Sequence, residues 1–140
     1  MMVVELHVGD LMHTVVHTVR DTDTVHDAHK LMRVIRIRHL PVLDDRGMLT
    51  GVVSDRDLNL GWSRGPECRI SEVMSRYAQW VHPGTRARDA AERMLRDRIG
   101  CLPVLDDRQR IVGIITDTDF LEVALRALTL ADAVHETETP

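Results

Sequence analysis

His39-Leu40-Pro41-Val42-Leu43-Asp44-Asp45-Arg46, followed by Gly51-Val52-Val53-Ser54-Asp55-Arg56-Asp57, decides how this chain is read, because the series occurs twice. At an offset of 62 residues it returns as Cys101-Leu102-Pro103-Val104-Leu105-Asp106-Asp107-Arg108 and Gly113-Ile114-Ile115-Thr116-Asp117-Thr118-Asp119. Ten of the nineteen positions from 39 to 57 are identical to their counterparts. The register extends upstream without a gap, with Met12 meeting Met74, Val19 meeting Val81, Ala28 meeting Ala90 and Met32 meeting Met94. Such a register marks a tandem duplication, and a duplication decides the architecture before any single element is assigned. The first unit spans 8–60 and the second 70–130, with a linker at 61–69 that contains Gly61, Gly65 and Pro66. Residues 131–140 read as a C-terminal tail that frays from Glu136 to Pro140.

Each unit carries the same pattern. A helical turn (Val8 to His13; Ile70 to Ser75) precedes a short strand (Val15 to Val19; Ala78 to Val81). A helix then starts near Thr24 or Thr85, hydroxyl residues suited to the free amides of a helix N-terminus. Val25, Ala28, Leu31, Met32 and Ile35 share one helical face, as do Ala87, Ala90, Ala91, Met94 and Leu95. Two β-rich runs follow, Leu40 to Leu43 and Leu49 to Val53, around the polar turn Asp44-Asp45-Arg46-Gly47. The second unit repeats them as Leu102 to Leu105 and Ile111 to Ile115 around Asp106 to Gln109. A closing helix is short after Asp55 and long after Asp117, reaching about Leu130. The unit is therefore β-α-β-β-α, and the fold class is α/β (α+β). A unit of ~60 residues is marginal alone, so the two are expected to pack sheet to sheet around a pseudo-twofold axis.

At 140 residues and 15.9 kDa, with 44% apolar and 29% charged residues, the chain has the composition of an ordinary globular protein. No apolar run approaches the ~20 residues of a membrane span, and the N-terminus has no basic-then-apolar signal pattern, so a cytoplasmic location is expected and no membrane partner. The net charge of −4 argues against general nucleic-acid binding. Cys68 and Cys101 stand at no metal-ligand or redox spacing, which suits a reducing compartment.

The chemistry-bearing spacing lies at the step from strand to closing helix. Gly51 to Asp57 and Gly113 to Asp119 each give a glycine, two β-branched residues, a hydroxyl, and an aspartate three residues further on. The hydroxyl of Ser54 or Thr116 stands where a helix N-terminus exposes unpaired amides, a natural phosphate site. Asp57 or Asp119 lies about one turn further on the same face and, as an acceptor, suits the two hydroxyls of a ribose. Arg56 adds a planar fork that matches phosphate. The same spacing is equally met by helix caps, with the aspartates offsetting the helix dipole.

The duplicated hydrophobic-Pro-Val run, its turn, and the Gly-x-x-Ser/Thr-x-x-Asp series resemble a pair of CBS domains, the cystathionine-β-synthase domain paired as a Bateman module. The resemblance covers residues 8–130 and is greatest to stand-alone bacterial CBS-pair proteins. It implies a regulatory module, not an enzyme, that binds an adenosyl ligand (AMP, ADP, ATP, S-adenosylmethionine, or of the NAD class) between the two motifs. It also implies a homodimer in which two pairs form a disc, and a protein partner that reads the ligand state. Carried over residue by residue, Asp57 and Asp119 match the ribose acid, Ser54 and Thr116 the phosphate-side hydroxyl, and Arg56 a phosphate-facing position. The strand starts His39-Leu40-Pro41 and Cys101-Leu102-Pro103, with the strand ends Thr18-Val19-Arg20 and Trp80-Val81-His82, would line the adenine cavity with backbone groups.

The two clefts are not equivalent. Thr118 replaces Arg56 in the second, and Trp80 stands where the first unit has Thr18, so the Ser54/Arg56/Asp57 cleft is the one favoured for an anionic nucleotide. Eight histidines invite a metal reading, yet neither His13/His17 nor His26/His29 is joined by a thiol or carboxylate at ligand spacing, and no metal or obligatory cofactor is expected. Any Mg²⁺ would arrive with a polyphosphate. Phe120, Val123, Ala124, Ala127 and Leu128 give the closing helix more apolar surface than one unit buries, which favours dimer contact. The alternative to a nucleotide sensor is a ligand-free dimerisation scaffold.

Overall fold

The computed structural model describes residues 5–138 apart from Tyr77, with side chains described as far as residue 134. Along the chain the elements are α1 (Val8–Leu11), β1 (Val19–Arg20), α2 (Val25–Ile35), β2 (His39–Leu43), β3 (Leu49–Ser54) and α3 (Asp55–Trp62). A 3₁₀ turn (Ile70–Glu72) opens the second repeat, followed by α4 (Ala87–Asp97), β4 (Cys101–Leu105), β5 (Ile111–Thr116) and α5 (Asp117–Glu138). In the first sheet β1 pairs parallel with β2 and β2 antiparallel with β3. In the second, β4 and β5 pair antiparallel in the matching register, Pro41 opposite Val52 and Pro103 opposite Ile114.

Both hairpins fold for the reason the turn chemistry gives. Asp44 Oδ1 accepts from the N–H groups of Arg46 and Met48, each at 2.9 Å, and Asp106 Oδ1 does the same for Arg108 and Arg110. Gly47 (φ 79°) and Gln109 (φ 64°) take the left-handed position that closes each turn. Helix α2 is capped by Thr24, whose Oγ1 accepts from the Asp27 N–H, and its apolar stripe buries Val25, Ala28 and Met32.

The structure corrects several local expectations. Residues 14–18 and 78–80 are not strand: β1 is Val19–Arg20, and its counterpart is a single parallel bridge from Val81 to Val104. Thr85 does not cap α4, whose N-cap is Arg86; its Oγ1 instead accepts from the His82 N–H at 3.1 Å, as Asp23 Oδ2 accepts from Arg20 at 2.8 Å. Leu95 is 83% exposed rather than part of the buried stripe, which ends at Met94. Helix α5 runs to Glu138, so the backbone of residues 131–138, expected as a tail, is helical. No glycine or proline interrupts the chain between Asp117 and Glu138. The side chains of Glu136 to Pro140 lie outside the described residues.

The repeats are not self-contained. Val8, from the opening turn of the first repeat, packs with Val81, Ala90, Met94, Leu102, Val104 and Ile115 of the second. Ile70, from the opening of the second, lies in the core of the first with Val25, Leu40, Val53 and Leu58. Backbone bonds fix both crossings: Val8 N–H to the Thr85 carbonyl (2.8 Å) and Ile70 N–H to the Asp23 carbonyl (2.9 Å). Just beyond each crossing the chain extends the opposite sheet by one bridge, His13 to Ile114 and Ser75 to Val52. This diversion explains the missing strand, since the segment after His13 has to travel back from β5 to β1.

Gly51 and Gly113 stand under these crossings. A Cβ at Gly51 would lie 2.6 Å from the Ser75 carbonyl oxygen, whereas one at Gly113 would meet the flexible Met12 Sδ at 2.6 Å and the His13 carbonyl oxygen at 3.0 Å. The Ser75 carbonyl is held by the Val52 N–H and has little freedom to retreat. Gly51→Ala is therefore expected to destabilise by about 1–3 kcal/mol and more than Gly113→Ala. Equilibrium urea unfolding of both variants checks the order, and equal losses would contradict it.

Candidate functional site

The crossing segments and the closing helices meet at two pseudosymmetric steps between strand and helix. At the first, Ser54 Oγ accepts from the Asp57 N–H (3.1 Å) while Asp57 Oδ2 accepts from the Ser54 N–H (2.9 Å), a reciprocal cap on α3. At the second, Asp119 Oδ2 accepts from the Thr116 N–H (2.8 Å) and the Thr116 hydroxyl (3.3 Å). The other oxygen, Asp119 Oδ1, lies 2.6 Å from His13 Nε2, so the crossing segment of the first repeat reaches the acid of the second. Asp119 is 5% exposed, and the contact keeps its carboxylate partnered on both oxygens. The counterpart of His13 at the first step is Ser75.

A cavity of about 610 Å³ opens at the second step. Its walls come from both repeats: Met12 to Val15 and His17, the segment from Ile35 at the end of α2 to His39 at the start of β2, and Ile114 with Thr116 to Thr118. Arg36, at the C-cap of α2, takes the left-handed conformation (φ 62°), and Arg38 Nη2 stands 3.6 Å from Asp117 Oδ1. Three backbone N–H groups at this helix start are already used: Thr116 donates to Asp119, Asp117 to the Gly100 carbonyl, and Thr118 to Asp117 Oδ1. The side chains that line the cavity beside this helix start include those of Arg36, Arg38 and His39.

Of the residues singled out in the sequence, Thr116 and His39 line this cavity, with Asp119 directly behind Thr116. Ser54 and Asp57 cap α3 at the other step, and Arg56 is exposed on its first turn. Leu40, Pro41, Leu102 and Pro103 are fully buried mid-strand, and Val19, Val81 and Cys101 are buried as well, so their side chains pack in the core. Thr18 and Arg20 lie beyond the cavity wall, which ends at His17. Trp80 meets the His82 ring edge-on with centroids 5.0 Å apart, and both sit away from the 610 Å³ cavity. Trp80 lines a separate space of about 310 Å³ with Met48, Gly51 and Leu105, while His82 Nδ1 bonds the Leu105 carbonyl. The cavity lies at Thr116 to Thr118, not at the Ser54/Arg56 step that the Arg56-to-Thr118 exchange favours. Sequence reasoning missed Arg36, Arg38, and the roles of His13 and His17. The signal was the basic run Arg36-Ile37-Arg38-His39, which spans the α2–β2 connection and the first residue of β2.

Burial and then the Arg38 guanidinium push the His39 imidazole below its ordinary value. Burial pushes the Cys101 thiol up to about 12, helped by Asp117 and Asp119, so it is an inert thiol. Among the described residues no three histidine, cysteine or acidic side chains are arranged to hold a metal ion, and no helix is long and apolar enough to cross a membrane.

The CBS domain family model matches the chain twice, at residues 8–59 and 70–126. A CBS domain-containing protein of Dictyostelium discoideum is 29% identical over 86% of this chain and 92% of its own length. The homoserine O-acetyltransferase of Methanosarcina acetivorans is 31% identical over 78% of this chain but only 20% of its own. The chain thus spans about a fifth of the length of the enzymes among its curated relatives. Among solved structures, a protein assigned to acetoin utilization (AcuB) from Vibrio cholerae superposes with a TM-score of 0.79 at 36% identity, covering 98% of this chain and 100% of that one. The CBS domain pair of protein MJ0100, in complex with 5′-methylthioadenosine and S-adenosyl-L-methionine, gives 0.78 at 27% identity over 85% and 95% of the two chains. CBSX2 in complex with AMP gives 0.77 at 30% identity over 87% and 98%.

The depressed His39 fixes the sign of one pH dependence. The unfolded chain binds more protons than the folded one just below the ordinary histidine pKa of about 6.5, so stability falls as pH drops through that value. His39→Gln is expected to lose less melting temperature than the parent between pH 7.5 and 5.5. Identical losses in the two would contradict the assignment.

Proposed function

The chain belongs to the CBS-domain family as a tandem pair, and on that premise we propose that it is a regulatory module that binds an adenosyl nucleotide between its two repeats. The observation that carries this reading is the 610 Å³ cavity at Thr116 to Thr118, of the size range of ligand sites and walled by both repeats. Related pairs support the ligand class, since those of MJ0100 and CBSX2 hold adenosyl compounds. Asp119 is the ribose acceptor, reached when the ligand takes the place of His13, and Thr116 is the adjoining hydroxyl. A ligand seated there touches the His13–His17 segment and the loop before β2 from one repeat and β5–α5 from the other. It favours one relative placement of the repeats, and a partner reads the shift in population. No nucleophile or acid–base pair enters the reading, and no metal does unless it accompanies a polyphosphate. Two free thiols suit a reducing, cytoplasmic setting.

A second copy of the chain is the expected neighbour. On α5, Leu121, Leu125 and Leu128 are 63–67% exposed, and a groove of about 660 Å³ has Leu6, Leu11, Ala87, Ala91, Phe120 and Val123 in its wall together with Glu5, Arg86 and Arg88. This face supports homodimer formation, and a monomer at all concentrations in sedimentation would contradict it.

Thermal unfolding with adenosyl compounds tests the central reading. A ligand at a hundredfold its Kd adds about 2.7 kcal/mol of stability, which corresponds to roughly 10 °C for a chain of this size. At least one of AMP, ATP and S-adenosylmethionine is expected to give such a shift, and Asp119→Ala to lose it beyond any change in its own ligand-free melting temperature. No shift with any of them would leave the ligand-free scaffold as the reading.

A further inference from the structure

We propose that the cleft at Thr116 to Thr118 selects an adenosine polyphosphate over AMP and S-adenosylmethionine, and that its pseudosymmetric mate does not bind one. The inference rests on the nucleotide reading above and names the ligand class of that same site. The duplication supplies an internal control, because each wall residue has a counterpart at an offset of 62. His13 faces Ser75 in this comparison, His17 faces Gln79, Arg38 faces Gly100 and His39 faces Cys101. Four basic or ionisable nitrogen side chains in one cleft are thus neutral or thiol residues in the other. Ile35 is answered by Asp97, which adds an acid to the mate. Arg36 and Arg98 are equivalent, and two exchanges run in the opposite sense, Arg56 against Thr118 and Arg76 against Thr14.

Geometry follows the same division. In the mate, Gln79 Nε2 donates to Asp97 Oδ2 at 2.7 Å, tying together the two walls that His17 and Ile35 leave apart in the open cleft. Asp97 is paired also with Arg96 at 3.2 Å, and these hydrogen bonds hold its carboxyl below the ordinary range. In the open cleft both carboxylates are already matched, Asp117 by Arg38 and Asp119 by His13. The Thr116, Asp117 and Thr118 amides donate within the protein, and the wall carries the Arg36 and Arg38 guanidinia, whose planar forks bind phosphate oxygens in pairs. One phosphate occupies one fork; two forks, 36 and 38, reward a chain of phosphates. A sulfonium ligand brings a positive charge to the same wall and is disfavoured.

Isothermal calorimetry of the full chain with adenosine, AMP, ADP, ATP without metal, and S-adenosylmethionine tests this. Affinity is expected to rise with each phosphate, with ATP at least tenfold tighter than AMP. Arg36→Gln and Arg38→Gln are each expected to weaken ATP about tenfold and adenosine less than threefold. Raising KCl from 50 to 500 mM is expected to weaken ATP more than adenosine, as screening of a charged contact requires. Ligand-free melting temperatures identify any variant that fails to fold, and the salt series on the parent then decides alone. The proposal is overturned if AMP and ATP bind within threefold of each other, if S-adenosylmethionine binds most tightly, or if Arg56→Gln weakens ATP more than Arg38→Gln. Binding of none of the five overturns the nucleotide reading itself, an outcome distinct from binding without phosphate preference.

Discussion

The hydrogen bonds that carry each opening turn into the opposite repeat, Val8 N–H to the Thr85 carbonyl and Ile70 N–H to the Asp23 carbonyl, are the constraint on which the site depends. Neither repeat closes its core alone: the first needs Ile70 and the second needs Val8, both fully buried. A unit of about 60 residues is short of buried apolar surface, and exchanging one turn lets each repeat complete the other. The exchange also fixes the cleft. Having crossed to bridge Ile114, the chain has to return past β5, and the returning segment from His13 to His17 becomes a wall that belongs to one repeat but stands over the helix start of the other.

Duplication makes two such places, and divergence gives them different walls. Where the walls carry Gln79 and Asp97 they are joined by a hydrogen bond, and where they carry His17 and Ile35 they stand apart around the 610 Å³ cavity. The caps differ in the same direction. Ser54 and Asp57 satisfy one another, whereas Asp119 is turned toward the partner repeat and takes His13 as its second partner. A carboxylate that joins two repeats is placed to sense a ligand that comes between them, because the ligand's hydroxyls compete for the same oxygen.

Much of the fold was legible. The hairpins followed from Pro-Val runs around Asp44 and Asp106, whose side chains build the turns, and α2 followed from Thr24 and a clean apolar stripe. The repeat at an offset of 62 gave the pseudosymmetry directly. The crossing of the opening turns was not legible, because apolar residues such as Val8 and Ile70 look the same whichever core receives them. Residues 14–18 carry β-formers, yet pairing is a tertiary matter, and the bridge of His13 to Ile114 leaves them without a partner strand. The cleft was half legible. Thr116, Asp119 and His39 came from the motif, while Arg36 and Arg38 sit in a loop where only the fold brings them beside Thr118. Weighing Arg56 against Thr118 alone favours the Ser54 step, whereas the 610 Å³ cavity opens at the other, where Arg36, Arg38 and His39 come from the first repeat.

The crystal structure of the chain grown with ATP tests this account most directly. The account predicts nucleotide between the repeats at the second step, its ribose on Asp119 with His13 displaced and its phosphates against Arg36 and Arg38. Nucleotide seated instead at Ser54 and Arg56, or at Thr116 with its phosphates turned away from both arginines, would contradict it.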